Sequence, residues 1–460
     1  MIEAERIRPL NDRADRRGRY VLYWMQQSQR ARFNPALSLA ILEANARDQP
    51  LVVGFGLTDA YPGANARHYA FMLQGLAEVR TCLQEQGIAF VIRQGAPDAV
   101  ALELAEEASL VVCDRGYLRH QKQWRQTLAT RAPCPVLQVE GDVVVPVDLV
   151  SGKSEFAART IRPKILRQRD RFITAVDEPR VKRSASTLDL ESTVDLSQPL
   201  RVLAGLAIDH DVKPVRRFTG GSAEARRRLA DFIEHRLDRY ADARSEPADW
   251  QCSFLSPYLH FGQISPVEIA LAIRDSESGS RQDRAAYLDE LIVRRELAMN
   301  YVNFTPDYDA YISVPGWARQ SLAAHRDDRR EHLYTQAQLE AAQTHDPYWN
   351  AAMREMTYTG FMHNYMRMYW AKKIIEWTAS PQQAFERTLA LNNTYFLDGR
   401  DGNSYANVAW CYGLHDRSWA ERPIFGKVRS MTAGGLKRKF DIDRYVAAVE
   451  DLLAAETSSS

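Results

Sequence analysis

Residues 20–25 read YVLYWM, six apolar residues in a row with a β-branched and three aromatic side chains among them. A run this short and continuous fits a strand covered on both faces. Four more runs follow: LVVGF at 51–55, IAFVI at 88–92, LVVC at 110–113 and VLQV at 136–139. Between them, 66–85 and 98–108 carry apolar residues at helical spacing. Strands alternating with helices predict βαβ units with right-handed crossovers, closed into a parallel sheet. Such sheets bind ligands beyond the carboxyl ends of their strands. No G-x-G-x-x-G follows the first run, which argues against the dinucleotide fingerprint.

The grammar then changes. Residues 151–215 hold a basic stretch (Arg159, Arg162, Lys164, Arg167, Arg169, Arg171) and a polar stretch at 184–197. They read as a connector with one embedded helix, its charges a solvated face. From about residue 220 the spacing is helical, at 224–242, 266–274, 284–302, 336–356 and 360–377. The expected fold class is α/β: a Rossmann-like parallel domain over 1–150, the connector, and an all-helical domain over 216–460.

The chain has 460 residues, 45% hydrophobic and 26% charged, which excludes extended disorder. Lys+Arg is 60 and Asp+Glu 59, a net charge of +1, so any surface for nucleic acid must be local. Five scattered cysteines without a CxxC pair argue against a zinc ribbon or a disulfide framework and for a reduced, cytoplasmic compartment; no metal site is expected. The first twenty residues have no apolar h-region, no run of about 18 apolar residues exists, and the terminal Ser-Ser-Ser reads as a frayed tail.

Several stretches carry chemistry. Six of nine tryptophans fall between 317 and 419, and Trp370 and Trp377 share a helix face. Stacked indoles can relay an electron, although spacing alone favours core packing. SFLSPYLHFGQIS at 253–265 places Ser256-Pro257 as a helix N-cap followed by proline, beside hydroxyls able to hold a phosphate. In LDELIVRREL (288–297), Glu290 and Arg294 stand four apart and suit a surface pair. In GFMHNYMRMYW (360–370), Asn364, Arg367 and Met368 share one face, where a cofactor edge or an internal ion-pair network can satisfy them. LDGRDGNSYANVAW (397–410) is a Gly/Asp/Asn loop able to present Asp398 to a heterocycle N–H. Residues 415–429 interleave Arg417, Arg422, Lys427 and Arg429 with Trp419 and Phe425. That composition suits either phosphate neutralisation with base stacking or a solvated basic tail.

Together with YVLYWMQQSQRA (20–31), ANARHYAFMLQGL (64–76), THDPYWNAAMREM (344–356) and HDRSWAERPIFGKVRSM (415–431), these segments run through the chain in one order. The sequence resembles the class II cyclobutane pyrimidine dimer photolyases of the photolyase/cryptochrome superfamily. The resemblance implies an α/β antenna domain and a helical domain holding FAD in a bent conformation. Tyr240, Ser253, Leu255 and Ser256 would hold its phosphates and ribityl chain. Arg294, Asn364 and Arg367 would line the flavin, and Asp398 would contact the isoalloxazine edge. Asn392 or Asn403 matches the neighbour of flavin N5. Glu290, Met368 and Trp410 match residues touching the dimer, with Glu290 expected to donate a hydrogen bond from a buried position. Arg244, Arg417, Trp419, Lys427 and Arg429 would meet DNA, and Trp370, Trp349 and Trp377 would carry electrons, Trp370 nearest the flavin. The implied activity is light-driven repair by reduced FADH⁻ on double-stranded DNA containing a pyrimidine dimer, by a monomer with no protein or membrane partner. The N-terminal domain has room for an antenna chromophore such as 8-hydroxy-5-deazaflavin, or is empty. Two departures stand out. Arg244-Ser245 replaces a usual Arg-Asn, and Asp401-Gly402-Asn403 replaces Asp-Pro-Asn, which predicts a looser loop. The rival readings are a cryptochrome-like photoreceptor without repair, a (6-4) photoproduct enzyme and a non-catalytic DNA-binding module.

Overall fold

The computed structural model describes residues 2–458. Six strands form one sheet: β1 (Ile7–Pro9), β2 (Tyr20–Trp24), β3 (Leu51–Leu57), β4 (Ala89–Gln94), β5 (Ala108–Asp114) and β6 (Val136–Val139). Their order is β1-β6-β5-β2-β3-β4, and all pairs are parallel except β1 with β6. Val21, Tyr23 and Met25 enter one core and Tyr20, Leu22 and Trp24 another, so the first run is buried on both faces as its composition requires. The chain winds from β2 to β3 and β4 on one side and to β5 and β6 on the other. The crevice where the winding reverses therefore opens beyond the ends of β2 and β5. β1 is a three-residue edge strand ending in proline, too short for an apolar pattern.

The connector carries two helices, Ala158–Phe172 and Pro199–Gly205, where one was expected. The second has a single buried residue, so no apolar stripe announces it. Several expected helices are shorter or divided. The stretch at 284–302 is Arg281–Leu288, a π-helical turn Asp289–Arg294 and Arg295–Phe304. The stretch at 336–356 is Gln336–Glu340 and Pro347–Thr359, the second restarted by Asp346, which accepts the Tyr348 and Trp349 N–H groups. Gly360, at φ 71°, ends that helix in the left-handed conformation, and Asn364–Glu376 begins after the turn. Pro381–Tyr395, Gly402–Cys411 and Ile442–Ser458 complete the main helical framework. Of the expected Ser-Ser-Ser tail, the backbone of Ser458 closes the last helix, and Ser459 and Ser460 lie outside the described residues.

Buried polar contacts lock the two halves together. Arg30 Nη1 reaches Asp142 at 2.7 Å and the Gly262 carbonyl at 2.9 Å. Arg67 donates to the Met356, Thr357 and Tyr395 carbonyls. Glu296 accepts the Val144 N–H at 2.6 Å. No described helix is long and apolar enough to cross a membrane.

Candidate cofactor and DNA site

The helical half gathers residues from distant segments. Tyr240 packs edge-on against Tyr287, ring centroids 5.3 Å apart, and the Tyr287 hydroxyl donates to Ser253 Oγ at 2.9 Å. Arg244 pairs with Glu290 at 2.6 Å, and its carbonyl meets His363 Nε2 at 3.1 Å. Burial pushes the His363 imidazole down to about 4, so it is neutral at pH 7 and Nε2 donates. The π-helical turn carries both Glu290 and Arg294, whose closest approach is 4.0 Å. The sequence-level pairing of these two is therefore the weaker one. Glu290 is 35% exposed and ion-paired with Arg244, which corrects the expectation of a buried carboxylic acid.

A second cluster lies one helix away. Arg367 makes two parallel bonds to Asp398, at 3.0 and 3.1 Å, and donates to the Met362 carbonyl at 2.9 Å. Its guanidinium sits 3.9 Å from the Phe396 ring centroid and 5.5 Å from that of Phe361. Phe361 in turn packs on Phe254 at 5.0 Å, which ties this cluster to the 253–256 stretch. Ser256 is the first residue of the helix Ser256–His260, and Leu255 holds the capping position, so the expected Ser256 cap is not formed. Among the described residues, the side chains of Ser256, Asn364 and Asn403 have no hydrogen-bond partner, and the buried Trp370 Nε1 is also unpaired. Asn392 instead donates to Asn393 Oδ1 at 3.0 Å. Hydroxyls and amides free for a ligand, beside guanidinium groups and a carboxylate held in place, suit a diphosphate carrying a polar heterocycle. The loop at Asp401-Gly402-Asn403 is not loose. Asp401 caps the following helix, and a Cβ on Gly402 would stand 2.9 Å from Met299 Sδ.

From this cluster an aromatic path runs outward. Phe396 lies 6.3 Å from Trp370. Trp349 Nε1 donates to the Trp370 carbonyl at 3.0 Å, and the Trp349 and Trp377 rings are 5.5 Å apart. Trp377 is 2% exposed, so the path reaches solvent through Tyr334 and the exposed His345, each 5.3 Å from it. Neither residue stands out in the sequence: His345 lies in the break between two helices that helical spacing joins, and Tyr334 lies just before the first of them.

Residues 415–429 fold as an exposed hairpin. Arg422 and Gly426 exchange backbone bonds, and the Trp419 N–H reaches the Lys427 carbonyl at 2.9 Å. Arg417 stacks on Trp419 at 4.9 Å. Arg429 lies 4.2 Å from Trp419 and 5.3 Å from Trp410, and Asp416 holds it at 3.1 Å. The hairpin tip is thereby linked through Arg429 to the half-buried Trp410. Met368, on the same helix as Arg367, is also half-buried.

At the sheet's crevice, Asp114 Oδ2 accepts the N–H groups of Gln26, Gln27 and Ser28 at 2.9–3.0 Å. Burial raises this carboxyl, and the three donors oppose that rise. The loop so clamped borders a cavity of about 110 Å³ lined by Trp24, Met25, Tyr61, Met72, Trp124 and Arg400 among others.

The comparisons agree with this architecture. Residues 21–180 match the DNA photolyase family. A deoxyribodipyrimidine photo-lyase from Methanothermobacter thermautotrophicus is 47% identical over 98% of this chain and 100% of its own. Two solved structures share the fold. A class III photolyase from Agrobacterium tumefaciens gives a TM-score of 0.74 at 21% identity, covering 94% of this chain and 86% of that one. An archaeal photolyase from Sulfolobus tokodaii described with two FAD molecules gives 0.68 at 15% identity, covering 93% and 89%. The chain belongs to the DNA photolyase family.

Proposed function

We propose that the protein is a deoxyribodipyrimidine photo-lyase, which uses light to split cyclobutane pyrimidine dimers in duplex DNA, working as a cytoplasmic monomer. The observation that carries the reading is the path from the Arg367–Asp398 pair through Phe396, Trp370, Trp349 and Trp377, in which the Trp349 indole N–H bonds the Trp370 carbonyl. A DNA-binding scaffold has no use for such a path.

FAD, when bound in reduced form, supplies light absorption and one-electron reducing power. Ser253, Ser256, Tyr240 and the Leu255 backbone would hold its diphosphate and ribityl chain. Arg294, Asn364 and Arg367 would line the ring, with Asp398 accepting from its edge. Arg367 favours an anionic ring by charge, and its bidentate pair keeps it oriented. The free amide of Asn403 is the better candidate for the N5 neighbour, because Asn392 is committed to Asn393. The tryptophan path would refill the cofactor with electrons from the surface.

The lesion must leave the duplex stack to reach the site, and weakened stacking at the dimer lowers that cost. Trp419 and Arg417 on the hairpin would occupy the vacated space, while Lys427 and Arg429 offset phosphate charge. Met368 and Trp410 would flank the dimer. Glu290, held by Arg244, would accept a pyrimidine ring N–H and orient the lesion. Reduced FAD, when bound, would supply the single electron with which the two cyclobutane C–C bonds of the dimer open, and would take it back afterwards.

The crevice cavity, with two indoles and three phenols in its wall, suits a flat aromatic antenna such as 8-hydroxy-5-deazaflavin. The test of the main reading is photoreduction. Trp370→Phe should block light-driven reduction of the cofactor and leave repair intact once the cofactor is reduced chemically. Photoreduction at the wild-type rate in that variant would contradict the proposed route. Bound flavin with no dimer repair would instead favour a photoreceptor.

A further inference from the structure

Lys372 is 0% exposed, which is exceptional for an ammonium group. It stands one helical turn beyond Met368 on the helix Asn364–Glu376. Its Nζ donates to the carbonyl of Cys411, the last residue of the helix Gly402–Cys411, and lies 5.7 Å from the Trp410 ring centroid. The cation is thus set behind both side chains proposed to flank the dimer. No carboxylate lies within ion-pair distance of it among the described residues. Asp416 is engaged by Arg429 at 3.1 Å, and the neighbouring Lys373 faces Glu376 at 2.7 Å.

A helix C-terminus accepts any donor. A neutral amide could cap Cys411 without the desolvation cost of burying a full charge that has no counter-charge in contact. The charge itself therefore needs an explanation. We infer that Lys372 is a positioning residue for the repair step: its ammonium, behind Met368 and Trp410, favours the interval in which the dimer carries an extra electron. This rests on the reading that Met368 and Trp410 line the dimer pocket. Lys372 forms no bond with the substrate and transfers neither proton nor electron. The electron supplied by the reduced flavin would enter the dimer, two C–C bonds would break, and the electron would return to the flavin, with the fixed positive charge lowering the energy of the electron-bearing dimer relative to the neutral one.

Burial pushes the Lys372 ammonium down to about 8, with Arg429 acting in the same direction and Cys411 and Asp416 opposing. The charged form is therefore present at pH 7 and lost as pH rises through about 8.

The experiment compares wild-type holoenzyme with Lys372→Gln, which keeps a donor for the Cys411 carbonyl, and Lys372→Met, which does not. Dark affinity for dimer DNA, repair per absorbed photon from pH 6.5 to 9.5 and thermal unfolding are measured together. Titration of the Lys372 ammonium is followed by ¹⁵N NMR. Lys372→Gln is expected to bind DNA in the dark within about twofold of wild type and to lose at least about threefold in repair per photon, the scale of one unit charge acting across an aromatic ring. The wild-type yield should fall as Lys372 deprotonates, while both variants stay flat. Wild-type yield and pH profile in Lys372→Gln would overturn the inference. So would a loss matched by equal losses in dark affinity and stability, which marks a structural cap. Should neither variant fold, an unchanged wild-type yield across the NMR-detected titration overturns it. A wild type that repairs nothing at any pH would instead sink the photo-lyase reading itself, and this inference with it.

Discussion

Consider removing the carboxylate charge that holds Arg367 by Asp398→Asn. The two bonds at 3.0 and 3.1 Å are parallel and charge-assisted, and the side chains are 22% and 11% exposed. Breaking a fully buried pair costs about 3–5 kcal/mol, and an exposed pair is worth about 0.2–1 kcal/mol. This pair lies nearer the buried limit, but Arg367 keeps the Met362 carbonyl at 2.9 Å and the Phe396 ring at 3.9 Å. A coupling of about 2 kcal/mol is expected from that intermediate position. The assay is a double-mutant cycle of Asp398→Asn and Arg367→Met, read by denaturant unfolding. In parallel, FAD release is followed by the rise in free-flavin fluorescence. Cofactor affinity should fall about 30-fold in Asp398→Asn, the equivalent of 2 kcal/mol. A coupling below about 0.5 kcal/mol with unchanged FAD affinity would refute the reasoning that this pair preorganises the cofactor pocket.

Other expectations follow from the same geometry. Glu290→Ala should lower repair per photon by roughly tenfold while FAD stays bound, since one pre-positioned hydrogen bond to the reacting group is lost; an equal yield contradicts that role. Burial pushes the Glu296 carboxyl up to about 8 despite the Val144 and Val145 N–H groups it accepts. Its folded value lies above its unfolded one, so the stabilisation from the neutral form is complete below the ordinary carboxylate range and lost as pH rises through about 8. Glu296→Gln should therefore gain on wild type by about 1.4 kcal/mol per pH unit between the ordinary carboxylate value and about 8 and no further above it, and parallel stability profiles across that window would refute this. Titration with 8-hydroxy-5-deazaflavin should quench fluorescence from Trp24 and Trp124 in the crevice cavity, and undiminished emission speaks against an antenna there.

The elements easiest to read were those whose burial is written in consecutive residues. β6 and the helices Ala66–Glu85 and Pro266–Arg274 have the boundaries their patterns predict. Boundaries blurred where a local cap overrides periodicity, as at Asp346 and Gly360. The π-helical turn at Asp289–Arg294 was hidden because an extra residue per turn leaves composition unchanged, yet it decides that Glu290 faces Arg244. The Gly, Asp and Asn content of 397–410 suggests a loop, although Asp401 and Gly402 are the cap and first turn of the helix Gly402–Cys411. Of the site, single motifs were ambiguous and their joint order was not. What no pattern conveyed was contact between distant segments: Asp114 with the 26–28 amides, Trp377 with Tyr334 and His345, and Lys372 under Trp410.

Photorepair tests the central claim most directly. Purified protein with its flavin reduced is mixed with an oligonucleotide carrying one thymine dimer, and absorbance is followed at about 260 nm in light and in darkness, because restored thymines regain absorption and restack. The account predicts recovery in light alone. Flavin-loaded protein that binds the oligonucleotide and shows no recovery under illumination would contradict it.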